Sequence, residues 1–150
     1  TVEMVVTPDT MPAEGERRGS IGMVKPSGWH TVRDDSLDGK YLYNRCHLIA
    51  WCLSSMNAEK RNLITGTRYM NVEGMLPYET QVASYIERTG NSVLYKVTPD
   101  FRDNELVARG VRIQAQSVDG QDDELSFDVY CYNVQPGYAL DYLTGAASKG

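Results

Sequence analysis

Apolar positions recur every second residue near both ends of this chain, and with a helical period once between them. Residues 1–6 read as a strand already under way, and residues 92–99, 106–117 and 125–134 alternate in the same manner, the second of these through Val107, Val111 and Ile113. Two shorter stretches, 21–24 and 40–46, are also compatible with strands. The latter places Tyr41, Tyr43 and Arg45 on one face and leaves His47 where the strand ends. Between these blocks the spacing predicts a short helix over 48–55, a brief extended or turn segment over 62–65, and an amphipathic helix over 78–88. Val82, Tyr85 and Ile86 form its apolar stripe, and Gly90 stops it. Residues 8–19 and 26–39, rich in Pro, Gly and Asp, are expected to be surface excursions. Strands, then a helical block, then strands predict an α+β fold with an antiparallel sheet.

At 150 residues the chain fits one domain, able to remove roughly two-thirds of its unfolded surface from water. No run of about 18 apolar residues is present to span a bilayer, and residues 1–6 lack the charged-then-apolar order of an export signal. Because residues 1–6 read as a strand already under way, the domain is expected to be cut at its N-terminal edge. The net charge of −5 argues at first against a polyanionic partner. Its distribution reverses that, because residues 17–72 hold nine Lys and Arg against four acids, a local +5 that leaves −10 for the rest. Such asymmetry can create a positive field over one region of a soluble acidic protein, although solvated charges unevenly spread by chance would look the same. Three cysteines do not announce a disulfide framework. Buried free thiols are the default, with a Cys46–Cys131 bridge open only if their strands pair. Neighbours on a strand face opposite ways, which points Cys46 into the core and removes a Cys46–His47 dyad. A structural zinc site lacks a second paired cluster.

The residues with chemical promise lie in Tyr43-Asn-Arg-Cys-His47 and in Asn62 to Glu79. Hydrolysis of a phosphodiester needs a base to take a proton from water and positive charge to meet the phosphate. His47, with an ordinary pKa of about 6.5, is mostly neutral at pH 7 and suits the first task. Arg45 suits the second, since a guanidinium is permanently charged and grips phosphate in bidentate fashion. Arg68 and Arg18 are further candidates for flanking phosphates, with solvated or structural roles equally open. Taken singly, each residue also has an ordinary reading: His47 as a core histidine, Asn71 as a helix cap, Asn62 as a turn residue, Glu79 as a first-turn carboxylate. His30 has no comparable context.

In combination these segments resemble the DNA/RNA non-specific endonucleases of the ββα-metal, or His-Me finger, superfamily, and within it the secreted streptococcal-type DNases. The resemblance covers nearly the whole chain, through Arg18-Gly-Ser-Ile-Gly, Lys25-Pro-Ser-Gly-Trp29, the His47 motif, Asn62 to Glu79, and Val134-Gln-Pro-Gly137 with Asp141-Tyr142. Asn44 stands where many relatives have Asp, Cys46 where many have Gly or Ser, and no residue here matches a phosphate-binding Arg that relatives carry upstream. The resemblance implies a ββα-metal finger on a central antiparallel sheet flanked by helices. It also implies His47 as general base, Asn71 as the direct ligand of Mg²⁺, with Mn²⁺ able to substitute, and Asn62 and Glu79 acting on metal-bound water. The expected substrate is DNA and possibly RNA, cut with little sequence preference because phosphate contacts carry no sequence information. A secreted enzyme is implied, with no membrane partner. Two other readings stay open: a nuclease toxin domain with a protein inhibitor, and a nucleic-acid-binding module without catalysis.

Overall fold

A computed structural model describes residues 1–118 and 125–150 of the chain. Strands β1 (Val2–Val6), β4 (Val93–Pro99), β5 (Gly110–Ser117) and β6 (Ser126–Tyr132) form one antiparallel sheet in the order β1-β4-β5-β6. A second pair, β2 (Tyr43–His47) with β3 (Leu63–Thr67), forms a separate antiparallel ribbon. Helix α1 (Trp51–Ser54) follows β2, and the main helix α2 (Leu76–Thr89) follows β3 through a π-helical turn at Met70–Met75. The short hairpin β7 (Tyr138–Leu140) with β8 (Ala147–Lys149) completes the chain. The expected α+β architecture is present, with the ββα unit formed by β2, β3 and α2.

Sequence chemistry sets these limits. Helix α2 has Pro77 in its first turn, where the missing N–H costs nothing, and ends at Gly90, whose φ of 72° suits a left-handed C-cap. Val82, Tyr85 and Ile86 are buried, as the helical spacing predicts, and join Val93, Tyr95, Val97, Val111 and Ile113 in one core. Tyr78 meets Phe127 at a ring separation of 5.3 Å. Fully buried Asn133 ties the ββα unit to the large sheet: its Oδ1 accepts from the Thr67 amide at 2.8 Å, and its Nδ2 donates to Thr65 and Ala108 carbonyls at 3.1 and 3.0 Å. A buried amide with all its main bonds made fixes orientation as well as energy.

Four elements differ from the sequence expectation. Residues 21–24 form no strand, because no neighbouring strand lies beside them; Val24 instead closes a turn by donating to the Ile21 carbonyl at 3.0 Å. The helix expected over 48–55 contracts to α1, since Leu48 and Ile49 are drawn into hydrogen bonds with Asn62. The π-helical turn and the C-terminal hairpin were not foreshadowed by periodicity. All three cysteines are free, with Cys46 and Cys131 buried; β2 pairs with β3 and β6 with β5, so the strands of Cys46 and Cys131 do not meet.

Candidate active-site cleft

A cleft of about 700 Å³ opens between the β2–β3 ribbon, the π-helical turn and the segment before β2. Its lining includes His47, Arg45, Arg68, Arg18, Asn71 and Glu79, so six of the seven residues singled out from the sequence meet there. Three of the nine Lys and Arg of residues 17–72, Arg18, Arg45 and Arg68, line the cleft against one carboxylate, Glu79, which favours positive walls.

His47 ends β2 opposite Leu63 and is 7% exposed. Its Nε2 lies 2.7 Å from the Asn57 carbonyl oxygen. A carbonyl can only accept, so the ring proton belongs on Nε2 and the neutral ring keeps its lone pair on Nδ1. Burial pushes the imidazole pKa below its usual value and nearby Arg18 pushes the same way, while the Asn57 contact opposes them. Position 57 carried no signal in the sequence, because a backbone carbonyl is independent of side-chain type.

Glu79, on the first turns of α2, is 5% exposed, and no donor among the described residues hydrogen-bonds its carboxylate. Burial alone raises its pKa to about 7. Asn71 projects from the π-helical turn, a local widening that is frequent at functional sites. It does not cap a helix: its Nδ2 donates to Asn44 Oδ1 at 3.1 Å, and its Oδ1 receives the Cys46 thiol at 3.5 Å. Asn44 therefore has a role as an amide acceptor at the position where many relatives have Asp.

The site also requires one reassignment. Asn62 is 1% exposed and does not line the cleft. Its Oδ1 accepts from the Ile49 amide and its Nδ2 donates to the Ile49 carbonyl, both at 2.9 Å, while its backbone carbonyl accepts from Leu48 at 2.8 Å. With both amide ends engaged it holds the chain just after His47, which does not fit the expectation that it acts on metal-bound water. Among the arginines, Arg68 pairs with Asp38 at 3.1 Å and reaches Asn44 at 3.4 Å. Arg45 donates to the Gly22 and Val24 carbonyls and stacks 4.1 Å above the Trp29 ring, a contact that sequence reading missed. Arg18 is exposed and makes no hydrogen bond or ion pair among the described residues. His30 lies outside the cleft lining, with Nε2 3.0 Å from the Thr144 carbonyl.

No group of three or more His, Cys, Asp or Glu able to hold a metal exists among the described residues, and Asn71 and Glu79 offer oxygen donors in a cleft that Cys52 also lines. A buried carboxylate with no hydrogen bond among the described residues, in the same cleft as an amide oxygen, suits a hard cation that keeps most of its water.

The fold has counterparts among known proteins. The profile of the DNA/RNA non-specific endonucleases matches residues 13–119. A curated deoxyribonuclease from Streptococcus dysgalactiae subsp. equisimilis is 34% identical over 110 residues, 70% of this chain and 32% of that protein. The chain therefore spans about a third of the length of the curated relative it matches. Among solved structures, magnesium-bound NucA from Streptococcus agalactiae superposes with a TM-score of 0.86 at 26% identity, over 99% of this chain and 73% of that one. Sda1 nuclease with a bound zinc ion gives 0.83 at 26% identity, over 99% and 74%. The chain belongs to the DNA/RNA non-specific endonuclease family.

Proposed function

We propose that this chain is a single endonuclease domain that hydrolyses phosphodiester bonds of DNA with the help of a divalent cation, Mg²⁺ being the best fit to its oxygen donors. The observation that carries this reading is His47, held as a neutral Nε2-protonated ring in the wall of a cleft that also contains Arg18, Arg68, Asn71 and Glu79.

In this reading His47 Nδ1 takes the proton of an attacking water. The depressed pKa keeps the ring in its accepting form at neutral pH, and the Asn57 carbonyl stabilises the imidazolium that results. Arg18 and Arg68 present positive charge to the phosphates that flank the scissile one. Asn62 keeps its part at one remove, fixing the backbone after His47 so that the ring holds its angle. Asn71 and Glu79 are the residues that would hold the cation. Bound there, it would supply positive charge to the reacting phosphate and the departing oxygen.

A secreted enzyme is in keeping with relatives named as extracellular nucleases. RNA as a second substrate and a protein inhibitor as partner follow from the family reading alone. The experiment that tests the function is incubation of supercoiled plasmid with the protein in Mg²⁺ or in excess EDTA. Nicked and linear products in Mg²⁺ and intact plasmid in EDTA are expected; undiminished cleavage in chelator, or none under either condition, overturns the reading.

A further inference from the structure

We propose that Arg45 is a positioning residue, a latch that holds the 18–24 segment against the ββα unit and thereby sets Arg18 beside His47. The inference rests on the nuclease reading above and deepens it by dividing labour between Arg45, which the sequence offers as the phosphate grip, and Arg18, which it offers only as a flanking candidate. Residues 17–24 contain no strand or helix. Within the segment, Val24 donates to the Ile21 carbonyl at 3.0 Å and Gly22 to the Ser20 hydroxyl at 3.5 Å. Among the described residues, the hydrogen bonds that join this segment to the rest of the protein both come from Arg45. Its Nε donates to the Val24 carbonyl, and an Nη donates to the Gly22 carbonyl at 3.1 Å. The guanidinium plane lies 4.1 Å from the Trp29 ring centroid, so carbonyls at its edge and an indole on its face fix its direction.

Arg45 starts from β2, where it pairs with Thr65, and is therefore as rigid as the ribbon. The segment it holds carries Arg18 into the same cleft as His47. Gly19 packs so closely on Asn57 that an added Cβ would lie 3.1 Å from Asn57 Nδ2, and Asn57 is the residue whose carbonyl orients His47. One end of the segment thus abuts the support of the base, and the other is tied by Arg45. Arg18, next to Gly19 at the first of these ends, makes no hydrogen bond or ion pair among the described residues, the state expected of a cation kept for a ligand. Arg45, with two donors and its ring face engaged, is poorly placed to grip phosphate as well.

A double-mutant cycle on the full chain separates the two roles. Binding of a duplex oligonucleotide would be measured against salt concentration in a His47→Ala background, which prevents cleavage, with Arg18→Ala, Arg45→Ala and both together. If the latch is correct, Arg18→Ala lowers the slope of log affinity against log salt by about 0.9, the loss of one phosphate contact. Arg45→Ala then lowers it by a similar amount, and the double variant falls no further than Arg18→Ala alone. A double loss near 1.8 means that Arg45 contacts phosphate independently, and overturns the proposal. Arg45→Lys covers the case in which the alanine variant folds poorly. It keeps the charge but loses the planar fork, so the latch predicts a reduced salt slope and faster amide exchange at residues 18–24 with the β2–β3 ribbon still protected. Retention of both slope and protection overturns it. No DNA binding by the parent background would instead sink the nuclease reading on which the latch depends, whereas tight parental binding with additive losses removes the latch alone.

Discussion

Glu79→Gln in metal-free protein should change how stability depends on pH, because the site combines burial with the lack of a donor to the carboxylate. The side chain is 5% exposed, and its pKa is lifted from an ordinary 4.5 to about 7. A folded-state pKa above the unfolded one means that the native form binds the proton more tightly. The resulting stabilisation is present in full below pH 4.5 and is lost as pH rises through about 7. At about 1.4 kcal/mol for each tenfold change, the loss amounts to about 3 kcal/mol by pH 8. Paired carboxylates at Asp100, Glu105 and Asp128 have lowered pKa values and pull the total profile the other way. The informative quantity is therefore the difference between variant and wild type, measured by urea unfolding in EDTA at several pH values. The variant should gain about 3 kcal/mol relative to wild type between pH 4.5 and 8. Adding Mg²⁺ at pH 8 should stabilise the wild type and act weakly on the variant, since a cation that binds only the native carboxylate adds its binding energy to folding. A difference that stays flat across this range, or equal stabilisation of both proteins by Mg²⁺, would refute the assignment of Glu79 as a buried carboxylate awaiting a cation.

The same geometry sets further expectations. The acidic limb of kcat/KM against pH should have its midpoint below 6.5, because burial and Arg18 both disfavour the imidazolium of His47; Arg18→Ala should move that midpoint upward, and an unchanged midpoint would count against their proximity. Asn62→Ala orphans the Ile49 amide and carbonyl and should cost about 1–3 kcal/mol in denaturant unfolding, with little change in the Mg²⁺ needed for half-activity; the reverse pattern would return Asn62 to the cation. Asn71→Ala should lower the rate and raise the Mg²⁺ concentration for half-activity, and an unaltered metal titration at full activity would show that the cation is held elsewhere.

The parts of the fold that repeat were the parts legible in the sequence. Helix α2 lies within two residues of its expected limits at both ends, because Val82, Tyr85 and Ile86 mark one face and Gly90 terminates it. Strands β4 and β6 lie within two residues of theirs in the same way, whereas β5 starts at Gly110, four residues inside the expected limit. Residues 21–24 misled because a short apolar run signals a strand only where a neighbour exists to complete its hydrogen bonds, and here the partner is the side chain of Arg45. In the cleft, the family resemblance announced the convergence of His47, Asn71 and Glu79. The engagement of Asn62 by Ile49, the Trp29–Arg45 stack and the Asn57 carbonyl left no trace, since side-chain bonds to distant backbone have neither period nor composition. The π-helical turn under Asn71 was likewise hidden, as one wide turn does not disturb the helical spacing that follows it.

The central claim is that His47 acts as the base of a hydrolytic reaction, and His47→Ala tests it most directly. Single-turnover cleavage of plasmid DNA in Mg²⁺ should slow by at least roughly a hundredfold, while affinity for uncleaved duplex and the unfolding midpoint stay close to wild type. A variant that cleaves at near wild-type rate, with fold and binding intact, would contradict the account.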